Sequence, residues 1–132
     1  MLTDNVSQYL ITQGIATAEG TDIFIGSLPD SDASTFDNAI LIRDTGGAEP
    51  DKHLPIKQPT IQILVRNVNY DTGYNKAKAI RDALHQKLDN TVLEVGADDV
   101  MTIFAMQEPT HLGMDESNRH LFTCNFIFKV RV

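Results

Sequence analysis

The stretch from Pro59 to Leu88 changes its hydrophobic period part-way along. In its first part Ile61, Ile63 and Val65 share one face, which is the two-residue period of a half-buried strand. From Tyr74 to Leu88 apolar residues return every three or four positions, which is the period of an amphipathic helix. A strand that leads directly into such a helix is expected to bury the apolar side of the helix on a sheet.

Residues at the helix ends predict how the helices are capped. Asp71 stands where the helix after the Pro59 strand is expected to begin, and its carboxylate could accept a hydrogen bond from a first-turn amide. A short helix is predicted from Asp4 to Gln13, and Gly14 after it suits the left-handed residue that ends many helices. Because short helices are marginal in isolation, this one must also dock on the sheet.

Further segments have the composition of strands. The clearest runs from Phe122 to Val132, where a buried face and a solvent face alternate. The others are residues 21–28, 38–44, 92–95 and 101–106, and the proline-containing stretch 48–58 is predicted to be a loop. Together these elements predict one domain over residues 1–132 with an α+β fold. We expect a mostly antiparallel sheet of about five to six strands with two helices packed on one face.

Composition argues against several classes of protein. The chain has 18 acidic and 11 basic residues, a net charge of −7, and no cluster of the basic residues that grip phosphate backbones, so specific nucleic-acid binding is not expected. No apolar run reaches the ~18 residues of a membrane span, and the N-terminus lacks a signal-peptide pattern, so a cytoplasmic protein without a membrane partner is expected. The single cysteine, Cys124, lies on the apolar face of the last strand and is expected to be a buried, unreactive thiol.

Two Asp-Thr-Gly triplets, at Asp44 and Asp71, raise the possibility of catalysis. Aspartic proteases use two such triplets to place paired carboxylates. Here Asp44 ends a strand at a glycine turn and Asp71 opens a helix, and the small Ser, Thr or Ala residue of the protease motif follows neither triplet. A turn residue and a helix cap therefore explain them better. A small acid-dyad hydrolase stays as an alternative, and the chain is expected not to be an enzyme.

No metal or cofactor site is predicted. The four histidines are dispersed, without the spacing that places two ligands on one helix face. The remaining candidates are surfaces for partners: the acidic loop 29–37, the loop 48–58, and Arg66, which is expected to point outward from its strand. A generic ligand-binding or adaptor domain is a second alternative.

Three segments resemble the minor capsid and tail terminator proteins of long-tailed bacteriophages. They are residues 23–51 (IFIGSLPDSDASTFDNAILIRDTGGAEPD), residues 62–84 (QILVRNVNYDTGYNKAKAIRDAL) and residues 108–130 (EPTHLGMDESNRHLFTCNFIFKV). The second contains Val65–Arg66 before Tyr70 and a helix. The third contains Gly-Met-Asp-Glu before Arg119, with Ser117–Asn118 where the family is expected to have Asn-Gly.

The resemblance implies a structural protein of a phage or prophage virion. Such proteins form a ring, often a hexamer, that caps the tail tube, ends its polymerisation and joins it to the head-side connector. The expected partners are therefore further copies of the chain, the tail tube protein and the head-side connector protein. The expected location is the tail or neck of the virion, after assembly in the host cytoplasm, with DNA passing through the ring without specific binding.

The resemblance and the charge pattern nominate two sets of site residues. The candidates for contacts between subunits or with a partner are Arg66, Tyr70, Asp115, Glu116 and Arg119. The second set is an acidic loop that faces the lumen or the end of the ring, where negative charge would repel DNA. Its candidates are Asp30, Asp32, Asp37, Glu49 and Asp51.

Overall fold

The computed structural model describes residues 2–27, 37–47, 56–85 and 99–131. These ranges contain helices α1 (Leu2–Thr12) and α2 (Tyr70–Leu84), and strands β1 (Ile23–Ile25), β2 (Ala39–Asp44), β3 (Ile56–Lys57), β4 (Thr60–Asn67), β5 (Asp99–Ala105), β6 (Thr110–Met114) and β7 (His120–Arg131). The strand predicted at residues 92–95 lies outside the described ranges. Neither described helix is long and apolar enough to cross a membrane.

Strand β7 lies at the centre of the sheet. One of its edges pairs antiparallel with β4, from His120 opposite Asn67 to Ile127 opposite Thr60, and then with β3. The other edge pairs with β6 near the start of β7 and with β5 near its end. Beyond β4 the sheet continues with an antiparallel β2 and a parallel β1. The seven described strands therefore form one mostly antiparallel sheet, and the predicted α+β class is confirmed.

Both helices pack on the same face of this sheet. The residues of β4 and β7 that alternate toward this face are fully buried, including Ile63 and Cys124, which lie opposite each other in register. Helix α2 covers them with Ala77, Ile80 and Leu84. The core cluster also includes residues of α1, namely Val6, Tyr9 and Leu10. The Tyr9 hydroxyl joins the two helices by donating a hydrogen bond of 3.1 Å to the carbonyl of Ala83.

Helix α2 approaches the sheet closely because residue 73 is glycine. A Cβ atom at Gly73 would lie 2.7 Å from the ring of Phe122 and 2.9 Å from Cβ of Asn67. Real Cβ atoms do not come this near to their neighbours, so any other residue would push the first turn of the helix away from β7. The Asp-Thr-Gly triplet at residues 71–73 therefore has a packing role at its glycine.

The end of α1 agrees with the sequence prediction, whereas the start of α2 does not. The prediction of Asp71 as N-cap is wrong: α2 begins at Tyr70, and the side chain of Asn69 accepts a 3.0 Å hydrogen bond from the Thr72 amide. Asp71 lies in the first turn, where its negative charge interacts favourably with the positive end of the helix dipole. The prediction for Gly14 is confirmed, since it has φ +78° and its amide bonds to the carbonyl of Ile11.

Candidate interface site at the hairpin end of the sheet

The hairpin between β6 and β7 is closed by Asp115 and Arg119. The Asp115 amide donates to the Arg119 carbonyl at 2.9 Å. In return, Oδ1 of Asp115 accepts from the amides of Ser117 at 2.9 Å and Arg119 at 3.0 Å. Asn118 completes the loop with φ +60°, the left-handed residue that three-residue hairpin loops require. One carboxylate thus fixes the shape of the whole turn.

The Arg119 side chain is fully buried behind this turn. Its Nε donates to Oδ2 of Asp115 at 2.9 Å and its Nη1 donates to Oδ1 of Asp37 at 3.2 Å. A buried guanidinium is stable only when carboxylates or other acceptors surround it, and here two carboxylates do so. Because Asp37 lies just before β2, this contact ties the hairpin to the start of a strand on the far side of β4.

Arg66 lies on the sheet face opposite the helices, between Ala39 of β2 and Leu121 of β7. It is only 3% exposed, so the expectation that it points outward into solvent is wrong. Burial lowers the pKa of its guanidinium, and the positive charge of Arg119 lowers it further, while the nearby carboxylates of Asp115 and Asp37 act in the opposite direction. We call these four residues the arginine cluster; its two guanidiniums and two carboxylates balance in charge.

The pKa of Asp115 reflects its place in the cluster. Burial by itself would raise the pKa of the carboxyl. The hydrogen bonds from the Arg119 and Ser117 amides and from the Arg119 side chain outweigh burial and hold the pKa below its ordinary value of 3.8. Asp115 is therefore ionised at neutral pH and pairs with a permanent cation.

Exposed apolar side chains are found at the same end of the sheet as the hairpin. We call this group the hairpin patch, and it consists of the exposed side chains Val68, Tyr70, Leu112 and Met114. Strand β6, which carries the last two, pairs with β7 alone among the described residues, so its outer edge is open there. Exposed apolar side chains on an open sheet edge are typical of a surface that binds another protein.

Tyr70 is anchored by rings beneath it although it is 45% exposed. Its ring centroid lies 5.0 Å from that of His111, 5.4 Å from that of His120 and 5.3 Å from that of Phe122, all in edge-on arrangements. The two imidazoles also face each other, with Nε2 of His111 3.1 Å from Nδ1 of His120. The patch is therefore built on an ordered aromatic base.

Comparison with known proteins assigns this fold to a family. The sequence profile of the bacteriophage tail terminator protein family matches residues 9–132, which is nearly the whole chain. The chain belongs to this family. A chain in the structure of the virion of a native gene transfer agent (GTA) particle has the same fold, with a TM-score of 0.68 at 15% identity over 99% of this chain and 95% of that chain. No curated protein sequence matches. The predicted resemblance is confirmed, and the protein is a structural component of the tail or neck of a phage virion.

The residues predicted for partner contacts of this tail terminator family member fall into two groups. Tyr70 and Glu116 are exposed and can reach a partner. Arg66 and Arg119 are buried in the single chain, and Asp115 is engaged with Arg119, so these three shape the surface from behind it. Their roles at an interface stay predictions.

The predicted acidic loop is described only at Asp37. That carboxylate pairs with Arg119, so its charge is neutralised within the chain. The other members of the set lie outside the described residues: Asp30, Asp32, Glu49 and Asp51.

Strand β6 is not predicted from the sequence, and neither are the hairpin patch and the histidine pair that depend on it. The polar and glycine residues from Thr110 to Met114 conceal a strand. Its pairing with β7 shifts register between His111 and Gly113, so simple alternation does not show it. The prediction that residues 48–58 form a loop is wrong at its end, where β3 pairs with β7.

The other residues considered for chemistry have structural roles. The carboxylate of Asp44 accepts a 2.8 Å hydrogen bond from the Gly46 amide, as in an Asx turn. Cys124 is 1% exposed and its Sγ lies 3.7 Å from the carbonyl of Ala77. Burial raises the pKa of its thiol to about 12, and the predicted burial of this cysteine is confirmed.

Proposed function

We propose that this protein closes the end of the phage tail tube as a ring of identical subunits, most simply a hexamer. The ring ends polymerisation of the tube protein and offers a surface to the head-side connector. The match to the tail terminator family over residues 9–132 carries this proposal. Assembly takes place in the host cytoplasm, and the role requires positions and contacts instead of a catalytic step.

A closed ring needs two different patches on each subunit, because each copy must contact its neighbour in a head-to-tail manner. The hairpin patch suits one of the two, since it combines exposed apolar groups with an open strand edge. The arginine cluster supports it by fixing the hairpin before binding, which lowers the entropy lost on association. In this arrangement Tyr70 and Glu116 touch the neighbouring subunit, while Arg66, Asp115 and Arg119 position the hairpin.

Two exposed methionines allow a matched test of the patch. Met114 is 53% exposed in the hairpin patch and Met106 is 60% exposed just after β5. Each would be changed to lysine, and each variant would be produced together with the tail tube protein of the same phage. Tube lengths and end caps would be measured by negative-stain electron microscopy, and oligomer size by light scattering. Circular dichroism would check that both variants are folded.

The wild-type protein and Met106→Lys are expected to give short tubes with capped ends. Met114→Lys is expected to leave tubes uncapped and longer, because a lysine charge in the apolar centre of an interface must lose its hydration. Equal capping by both variants would refute the role of the hairpin patch and leave the ring in place. Wild-type protein that neither forms a ring nor changes tube length would refute the proposed function itself.

The second part of the proposal concerns the acidic residues outside the described ranges. We infer that Asp30, Asp32, Glu49 and Asp51 turn a negative surface toward the passage for DNA, which keeps phosphates from binding to the ring. The excess of acid in the chain, with a net charge of −7, supports this. Replacing the four by Asn or Gln should increase DNA retention at low salt in a filter-binding assay. Unchanged retention, with the ring intact, would contradict this part alone.

A further inference from the structure

The histidine pair has a geometry that the tail terminator role does not use. His111 lies on β6 and His120 at the start of β7, and their facing atoms Nε2 and Nδ1 are 3.1 Å apart. His111 is exposed and His120 is half-buried, so solutes can reach the pair. His85 differs from this pair, because its Nδ1 already accepts a 2.9 Å hydrogen bond from the Ala105 amide.

The register shift in β6 creates this pair. Before the shift His111 lies opposite Phe122, and after it Met114 lies opposite His120. If Leu112 paired regularly with Phe122, His111 would lie opposite Thr123 and so on the other face of the sheet from His120. The bulged strand therefore brings two imidazoles onto one face that a regular hairpin would separate.

We propose that His111 and His120 together bind a late first-row divalent cation such as Zn²⁺ or Ni²⁺. Two nitrogens that each lie about 2.0–2.1 Å from a tetrahedral zinc ion are about 3.3 Å from each other, which is close to the observed 3.1 Å. At present the two nitrogens face each other. A small rotation of the rings would direct the lone pairs of Nε2 of His111 and Nδ1 of His120 at one shared ion. Imidazole nitrogen is a preferred ligand for zinc and nickel.

Tyr70 and Phe122 limit how the rings can turn. The ring of Tyr70 lies edge-on to both imidazoles, and the ring of Phe122 is 5.1 Å from that of His111. Ligand orientation by surrounding groups is a general feature of metal sites in proteins. No third histidine, cysteine or carboxylate joins the pair among the residues described, so the other coordination positions are left to water or to groups outside the described residues.

The test uses Zn²⁺ or Ni²⁺ alone with the full chain. Isothermal titration would compare the wild-type protein with His111→Gln, His120→Gln and His85→Gln, the last as a control that removes a histidine whose Nδ1 already accepts a backbone hydrogen bond. Losing an outer partner of a metal ligand already costs about 10–100-fold in affinity, so losing either ligand should weaken binding by at least about tenfold. His85→Gln should bind like the wild-type protein, with one ion per chain.

A second measurement removes the dependence on variant folding. Nitrogen NMR of histidine-labelled wild-type protein should show Zn²⁺-dependent shifts at Nε2 of His111 and at Nδ1 of His120. Absence of saturable binding, binding that both glutamine variants retain, or shifts confined to the opposite ring nitrogens would each overturn the proposal. None of these results depends on whether the protein caps tail tubes.

Discussion

The two faces of the sheet are buried by different physical means. On the helix face, the side chains of β4 and β7 are apolar and pack against α1 and α2. On the opposite face, at the hairpin end, buried positions include Arg66 and the nearby hairpin residue Arg119, which two carboxylates neutralise. Apolar packing is non-directional and tolerates side chains of similar volume, whereas a buried charge cluster fails when any one partner is lost. The helix face should therefore tolerate conservative apolar changes, whereas the arginine cluster, which fixes the position of the hairpin, should not tolerate the loss of a partner.

A charge placed in the helix face should have the largest effect. Ile80 is fully buried under α2, so Ile80→Asp would put an unpaired carboxylate into the apolar core. The cost of several kcal/mol is comparable to a total stability of about 5–15 kcal/mol, and the variant should be unfolded at room temperature. Circular dichroism and urea titration would measure this. The control is Ala79→Asp on the exposed side of the same helix, which should fold. A folded Ile80→Asp with normal stability would refute the described packing of α2.

Removing one partner from the arginine cluster should have the next largest effect on stability. Arg119→Met keeps the apolar stem and deletes the guanidinium, which leaves Asp115 and Asp37 without their cation. Breaking a buried ion pair costs about 3–5 kcal/mol, and the loss here should lie at the lower end of that range because the two carboxylates left behind are partly exposed. The matched control is Arg43→Met at the exposed end of β2, where a change within about 0.5 kcal/mol is expected. Urea unfolding of the two variants would compare them directly, and equal losses would show that the cluster does not stabilise the chain.

Much of the helix face could be predicted from the sequence, and the reason is periodicity. Ile61, Ile63 and Val65 alternate, as does β7 from Phe122, and both patterns placed residues on the correct face. The same alternation put Arg66 on the correct opposite face but not in its correct environment. Periodicity identifies the direction of a side chain, while its burial depends on which distant groups cover it. Asp37 is 82 residues from Arg119 along the chain, and no local pattern joins them.

The two faces should also differ in how their contribution to stability depends on pH, because the arginine cluster contains carboxylates that titrate at acidic pH. The pKa of Asp115 is below 3.8 in the folded chain, so its stabilising effect is present above that value and is lost as the pH falls through the lower folded pKa. Asp115→Asn should be less stable than the wild-type protein at neutral pH, and the difference should shrink as the pH falls toward about 2. Urea unfolding at a series of pH values would measure both curves. Glu116→Gln, on the exposed side of the same loop, should follow the wild-type curve. A constant difference between Asp115→Asn and the wild-type protein would contradict the lowered pKa.

The smallest effect on stability should come from substitutions in the hairpin turn, which Asp115 and Arg119 of the arginine cluster close. Asn118 has φ +60°, a conformation that glycine adopts freely and that asparagine tolerates better than most residues. Asn118→Gly should therefore change stability by less than about 0.5 kcal/mol, because relief in the folded turn is offset by greater freedom in the unfolded chain. Asn118→Val should lose about 1–2 kcal/mol, since its branched Cβ is disfavoured in this region. Thermal unfolding of the pair would measure the gap between them. A valine variant as stable as the glycine variant would mean that residue 118 can leave the left-handed region, and Asp115 would then not hold the hairpin in a single shape.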